Sequence, residues 1–344
     1  MLSNQIDNRQ KAVLETIIEQ FVMTAQPVSS ATVARKSGLR LSSATIRNVM
    51  VELEDGGLLE QPHVSSGRIP TDKGYRVYVD KMMKIRGLTK REKQVITDHL
   101  RDACRDVDEI LAMSCSILST IWGQLAIALG PGLTGGILKR IDFIPVGEDR
   151  VMVVISVASG VIRTVFIEVD KTVAPAALER ARKAINDRLT GLPLATAWNA
   201  LGDEPERLSV GDPVVRQVLV RLVRSIAAHS LDGDLHLDGT YRVLDQPEFE
   251  SRDLVTSLLS VVETRERLAR ELSLFRYQPK PRVMIGRENS LSEFTHLSIV
   301  ASGVSFGQVR GAIGIIGPIR MQYAKLIPAV QYVAQSIGEI LCVS

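Results

Sequence analysis

The chain opens on a helical rhythm. Val13, Leu14, Ile17, Ile18 and Phe21 recur at three- and four-residue steps behind Asp7-x-x-Gln10, a capping-box pattern, so a first helix is predicted to end before Pro27. Ser29 can cap a second, short helix, with Val28 and Val33 placed as a hydrophobic staple and Gly38 as the stop. A third begins after Ser42-Ser43, carries Ile46, Val49, Met50 and Leu53 on one face, and ends at Gly56-Gly57. Two helices joined by a short Gly-containing turn read as helix-turn-helix.

The polar face of the third helix presents Ser43, Thr45, Arg47 and Asn48 near its N-terminus. That end of a recognition helix enters the major groove, where Arg can grip guanine, Asn adenine, and Ser or Thr a base or a phosphate. An ordinary amphipathic helix with a solvated face has the same pattern. Leu58–Gln61 can begin a strand, residues 62–71 form a loop rich in turn residues, and Tyr75–Val79 alternates or continues a helix. A small hairpin after a recognition helix is a wing. Gly67 is then expected to permit a tight turn, with Arg68 at the tip reaching a phosphate or a minor groove, and His63 and Ser65 on the same loop. A turn histidine and a solvated arginine are the plainer alternatives.

Leu88 to about Gly130 reads as two long helices, the first charged and the second uncharged. The uncharged run extends from Ile110 to Leu138, long enough for a membrane span. Ser116, Ser119, Thr120, Gly123 and Gln124 nevertheless form a polar or small stripe opposite Ile110, Leu111, Ile117, Leu118, Ile121, Trp122 and Leu125. A two-faced helix packed in protein and stopped at Gly130-Pro131-Gly132 explains this better. Strand signals follow at Ile137–Pro145, Arg150–Val157 and Val161–Val169. Helices are predicted at Ala176–Leu189, Val214–His229 and Leu254–Phe275. Strands resume at Arg282–Gly286, His296–Ser302 and Gly311–Gly317, before a last helix from Gln322 to Leu341. Strands on both sides of a mainly helical stretch suggest one sheet domain with an insertion.

Composition narrows the chemistry. The 344 residues allow two or three domains, and with 45% hydrophobic but only 4% aromatic residues the cores must be aliphatic. Residues 1–86 hold 12 Lys/Arg against 9 Asp/Glu, whereas the remainder holds 30 of each, which suggests an anionic partner for the N-terminal part. Cys104, Cys115 and Cys342 form neither a C-x-x-C nor a paired set, and Cys104 and Cys115 read as small buried hydrophobes. His99, His229, His236 and His296 are scattered without metal-ligand spacing. There is no H-E-x-x-H, P-loop or G-x-S-x-G, and Gly311-x-x-Gly314-x-x-Gly317 has the wrong spacing for a dinucleotide fingerprint. Arg320 can bind an anion, satisfy buried carbonyls or pair with a carboxylate. The polar start from Met1 to Lys11 is unlike a secretory signal, so a cytoplasmic location is expected.

Several motifs carry a family resemblance. They are Ser43-Ala44-Thr45-Ile46-Arg47-Asn48, Leu53-Glu54, Gly57-Leu58, and the run from Gln61-Pro62-His63 through Gly67-Arg68-Ile69-Pro70-Thr71 to Gly74-Tyr75-Arg76-x-Tyr78-Val79-Asp80. Near the C-terminus stands Gly314-x-Ile316-Gly317-Pro318-x-Arg320-Met321-x-Tyr323. Together they resemble HrcA, the heat-inducible transcription repressor family, over essentially the whole chain. Ile319 and Gln322 depart from the family, which usually has Thr and often an acidic residue there. The resemblance implies an α+β multidomain fold. An N-terminal winged helix-turn-helix over 1–86 precedes a GAF-like α/β sheet domain in two parts, 87–170 and 249–344, interrupted by an inserted, mainly helical dimerising domain at 171–248.

It also implies a non-enzymatic, homodimeric repressor of chaperone operons. Such a repressor binds the CIRCE inverted repeat through Ser43, Thr45, Arg47, Asn48, His63, Ser65 and Arg68, needs no cofactor or metal, and is kept active by the chaperonin GroEL. Two rivals remain: a regulator controlled by a small effector in the GAF-like domain, and a winged-helix enzyme such as biotin–protein ligase. The second lacks its nucleotide-binding loop in this sequence.

Overall fold

The computed structural model describes residues 6–63, 66–102, 106–132, 136–169, 174–203, 209, 211–228, 233–306 and 309–342. Helices α1 (Asn8–Thr24), α2 (Ser30–Lys36) and α3 (Ser43–Asp55) come first. Each begins where the sequence provides a cap. Asp7 and Gln10 form the reciprocal capping box, the Ser29 hydroxyl accepts from the Thr32 N–H, and the Ser42 hydroxyl accepts from the Thr45 N–H. The predicted stripe of α3 is buried in full against α1 and α2.

Strands β1 (Leu59–Glu60) and β2 (Ile69–Pro70) pair antiparallel, and α4 (Asp72–Lys81) follows. Tyr75–Val79 is therefore helical, with the Thr71 hydroxyl capping from outside.

Helix α5 (Lys90–Asp102) and helix α6 (Val107–Trp122) lead into β3 (Leu125–Leu129). The uncharged run is a helix and then a strand, and the stop is Gly123 in the left-handed region (φ +63°), not the Gly130-Pro131-Gly132 cluster. All five residues of β3 are buried, so it lacks the alternation that marks a half-exposed strand. Ser119, expected on a polar stripe, is also buried; its hydroxyl donates to the Ser116 carbonyl and to Asp238. Among the described residues no helix is long and apolar enough to cross a membrane.

The next strands, β4 (Leu138–Val146), β5 (Arg150–Val157) and β6 (Ile162–Glu168), form a separate three-stranded antiparallel sheet. Tight turns at Gly147 and Gly160, both at positive φ, keep the pairing local. Helices α7 (Pro175–Leu189) and α9 (Pro213–Ala228) pack on this unit, with α8 (Leu194–Asp203) against α9. The predicted end of α9 at His229 lies outside the described residues.

A second sheet has the order β7-β3-β10-β9-β8, antiparallel throughout, from β7 (Leu235–Asp238), β8 (Arg282–Ile285), β9 (Leu297–Phe306) and β10 (Val309–Pro318). The expectation of one sheet joining the strands of 137–169 to those of 282–317 is thus wrong. The burial patterns explain why. β5 alternates, as one covered face requires, whereas β3, β9 and β10 are nearly continuous and are covered on both faces. Ile313 and Ile315 of β10 join one core, and Ala312 and Ile316 the other.

The first core is closed by α6 and the last helix, α13 (Tyr323–Cys342). The second is closed by α10 (Thr240–Leu244), α11 (Arg252–Glu263) and α12 (Arg265–Ser273). The helix predicted at Leu254–Phe275 is therefore two. It breaks at Thr264, whose hydroxyl and N–H both go to the Ser260 carbonyl.

Candidate nucleic-acid interface

Arg47 and Asn48 lie on the exposed face of α3, one turn in from its capped N-terminus, opposite the buried Ile46, Val49 and Met50. The locked apolar face fixes which way the two side chains point. Ser43 is placed differently: its hydroxyl lies 2.8 Å from that of Ser30 on α2, tying the two helices together. Thr45 turns its hydroxyl to Ser42 at 2.9 Å, within the cap itself. The four residues share one helix end, but of these only Arg47 and Asn48 present free side chains to solvent.

The β1–β2 hairpin stands beside this helix. Its loop is closed by the Ser66 hydroxyl, which donates to the His63 carbonyl (2.7 Å) and accepts from the His63 N–H (3.0 Å). His63 is exposed; Ser65 lies outside the described residues. Gly67 serves another purpose than the tight turn expected of it. It has no positive φ, and a Cβ there would overlap the backbone of Val28. Glycine is needed because the hairpin is seated on the strand-like segment before α2, where the Val28 N–H donates to the Arg68 carbonyl (2.9 Å) and the Arg68 N–H to the Val28 carbonyl (3.0 Å).

Arg68 does not stand free at a tip. Its guanidinium is held by Glu54 of α3, Nε at 2.9 Å and Nη2 at 2.8 Å from one carboxylate oxygen, and the side chain is 15% exposed. The hairpin is thus bound to the C-terminal half of the helix that carries Arg47 and Asn48. Sequence reasoning misses this role of Glu54; the two residues are 14 positions apart, with no periodic signal to connect them.

This N-terminal unit docks onto the five-stranded sheet through α4 and the end of α1. Arg76 reaches Glu288 with a forked ion pair and donates to the Val283 carbonyl at 2.7 Å. Burial pushes the Glu288 carboxyl up, but hydrogen bonds from Arg76 and the Ile285 N–H, with the charges of Arg76 and Arg282, hold it below its ordinary value. Tyr75 packs edge-to-face on Tyr323 at 6.0 Å between ring centres. Arg320 pairs with Glu248 and donates to the Val22 carbonyl in the last turn of α1 (2.5 Å), so it satisfies both a carboxylate and a carbonyl. Cys115 is fully buried, and burial pushes its thiol well up; Cys104 lies outside the described residues.

A family model described as the HrcA protein C-terminal domain matches residues 108–327. Proteins described as heat-inducible transcription repressor HrcA are similar over nearly their whole length. The one from Geobacter sulfurreducens is 33% identical, covering 98% of both chains, and the one from Prosthecochloris aestuarii is 35% identical, covering 96% of both. A crystal structure of a protein described as hypothetical shares the fold, with a TM-score of 0.62 at 22% identity over 98% of this chain and 99% of that one. With a family model over most of its length and relatives of this identity from end to end, the chain belongs to the HrcA family.

Proposed function

We propose that this protein is a homodimeric, cytoplasmic transcription repressor of heat-shock operons, not an enzyme, and that it reads an inverted-repeat operator of the CIRCE type. The observation that carries the reading is the pair Arg47 and Asn48, the two side chains best suited to base edges, exposed side by side on a capped helix whose other face is immobilised. The unit 1–86 then acts as a winged helix-turn-helix, with α3 in the major groove and the β1–β2 hairpin as the wing. The relatives' description as heat-inducible transcription repressors supports the regulatory role.

An inverted repeat calls for a two-fold reader. The three-stranded sheet supplies a surface for one. Its face away from α7 and α9 carries the cross-strand row Ile144, Met152 and Phe166 and the nearby Ile162, with Phe166 56% and Ile162 60% exposed. In this reading the dimerising insert is the unit between β3 and β7, which both starts and ends earlier than 171–248, and the five-stranded sheet with its helices is the GAF-like domain. GroEL dependence follows the family expectation: the chaperonin maintains the folded dimer until heat diverts it to other clients.

The test uses full-length protein with an inverted-repeat duplex, a single half-site and a scrambled duplex, followed by mobility shift and sedimentation. Two protomers per inverted repeat, weak half-site binding and weaker scrambled binding support the reading. Equal affinity for all three duplexes overturns it.

A further inference from the structure

The positive charge of the N-terminal part does not lie where DNA-reading helices would put it. Residues 1–80 hold nine Lys/Arg and nine Asp/Glu, a balance of zero. Residues 81–93, which leave α4 and enter α5, hold Lys81, Lys84, Arg86, Lys90, Arg91 and Lys93 against Glu92 alone. The excess is therefore confined to the connection between the N-terminal unit and the sheet domain.

That connection is held in place. The Arg86 N–H donates to the Ala324 carbonyl at 2.9 Å, which fixes it to the start of α13 beside Lys325. Lys84, Arg86 and Lys325 line an open groove of about 520 Å³ between α1 and the start of α13, together with Tyr78 and Met321. All three side chains are exposed, and among the described residues no carboxylate is within ion-pair reach of any of them. Glu15 and Glu19 of α1 line the same groove without pairing to them, and their charges, after burial, help push the Tyr78 hydroxyl up to about 12. Elsewhere in the N-terminal unit and at its docking contact, Arg9, Arg68, Arg76 and Arg320 each hold a carboxylate. Three such cations from two distant parts of the chain, converging on a fixed ledge, make a surface for an extended polyanion.

We propose that this ledge, Lys84, Arg86 and Lys325, contacts the phosphate backbone of DNA flanking the operator half-site, adding sequence-independent affinity beyond the reach of α3 and the hairpin. The inference rests on the DNA-reading role proposed above. It extends that role from α3 and the hairpin to the connection that follows α4. The ledge then adds to the salt dependence of binding on duplexes long enough to reach it.

The experiment compares full-length protein with a Lys84→Gln/Arg86→Gln/Lys325→Gln variant. Binding is measured across a salt series on a short operator duplex, on the operator with long flanks, and on a long scrambled duplex. Each phosphate that is no longer neutralised should reduce the slope of log affinity against log salt by about 0.9. The wild type should gain affinity from the flanks. The triple variant should lose that gain and up to about 2–3 units of slope on both long duplexes, while matching the wild type on the short operator. Unchanged slopes on the long duplexes overturn the proposal. Equal loss on short and long operator also overturns it, because the cations would then act within the half-site or on domain docking.

Unfolding temperature serves as a control, since these exposed side chains should leave it unchanged. If the wild type fails to prefer operator over scrambled DNA, the base-reading proposal falls. The salt slope on the scrambled duplex still decides the ledge.

Discussion

Arg68 of the hairpin is held by Glu54 of α3, with its Nε and Nη2 both under 3 Å from a single carboxylate oxygen. A cation suited to a phosphate is thus occupied by an internal carboxylate in the DNA-free protein, and the pair ties the hairpin to the reading helix. Any phosphate contact made by Arg68 must compete with Glu54.

This gives opposite expectations for the two partners. Arg68→Ala should weaken binding to operator and scrambled DNA alike and make the salt slope shallower by about one unit. Glu54→Gln should strengthen both at low salt, because the guanidinium no longer has an anionic competitor. Fluorescence anisotropy across a salt series reads both. Weaker binding by Glu54→Gln would mean that the pair serves to position the hairpin rather than to withhold a cation.

The docking of the N-terminal unit should be sensitive to acid. Glu288 has a folded-state value below its ordinary 4.5, so its pairing with Arg76 stabilises the docked arrangement above that value and is lost as pH falls through the lower folded one. Thermal unfolding between pH 6 and pH 3 should therefore show an acid-side loss that Glu288→Gln reduces. An identical acid limb in the variant would assign the loss to other carboxylates.

Association is expected to run through the three-stranded sheet. Phe166→Glu places a charge at the β6 end of its exposed apolar row and should give a folded monomer with poor binding to the inverted repeat. Loss of the linked second site commonly costs 10²–10⁴-fold in apparent affinity. Sedimentation as a dimer would move the interface to another surface.

Heat lability is expected to involve α6. Leu118 is fully buried where this helix packs on the five-stranded sheet, and Leu118→Ala should cost about 2–5 kcal/mol. The variant should lose operator binding at a lower temperature, scatter light sooner and need more GroEL to remain active. Unchanged temperature and chaperonin dependence would remove α6 from the heat response.

The N-terminal unit is legible because its signals are local. Caps at Asp7, Ser29 and Ser42, and one apolar stripe per helix, fix the first three elements within a few residues. The centre is harder for a physical reason. Leu125–Leu129 is apolar on both faces, and a short continuous run does not distinguish a strand from a helix. The two sheets merge in a reading of the sequence because strand signals alone do not give partners. The alternation of Arg150–Val157 against the continuity of Leu297–Phe306 is the available clue. The pairings Arg68–Glu54, Ser43–Ser30 and Arg76–Glu288 are illegible, since each depends on folded geometry rather than spacing.

The most direct test of α3 as the base-reading element is the operator preference of Arg47→Ala and Asn48→Ala, measured as the ratio of operator to scrambled-duplex affinity at one salt concentration. Each substitution should cost about 1–3 kcal/mol on the operator and leave scrambled binding nearly unchanged, lowering the ratio by about 5- to 150-fold. Unfolding temperatures should stay close to that of the wild type, because both side chains are exposed. An unaltered ratio in both variants, or equal losses on the two duplexes, would contradict base reading by α3.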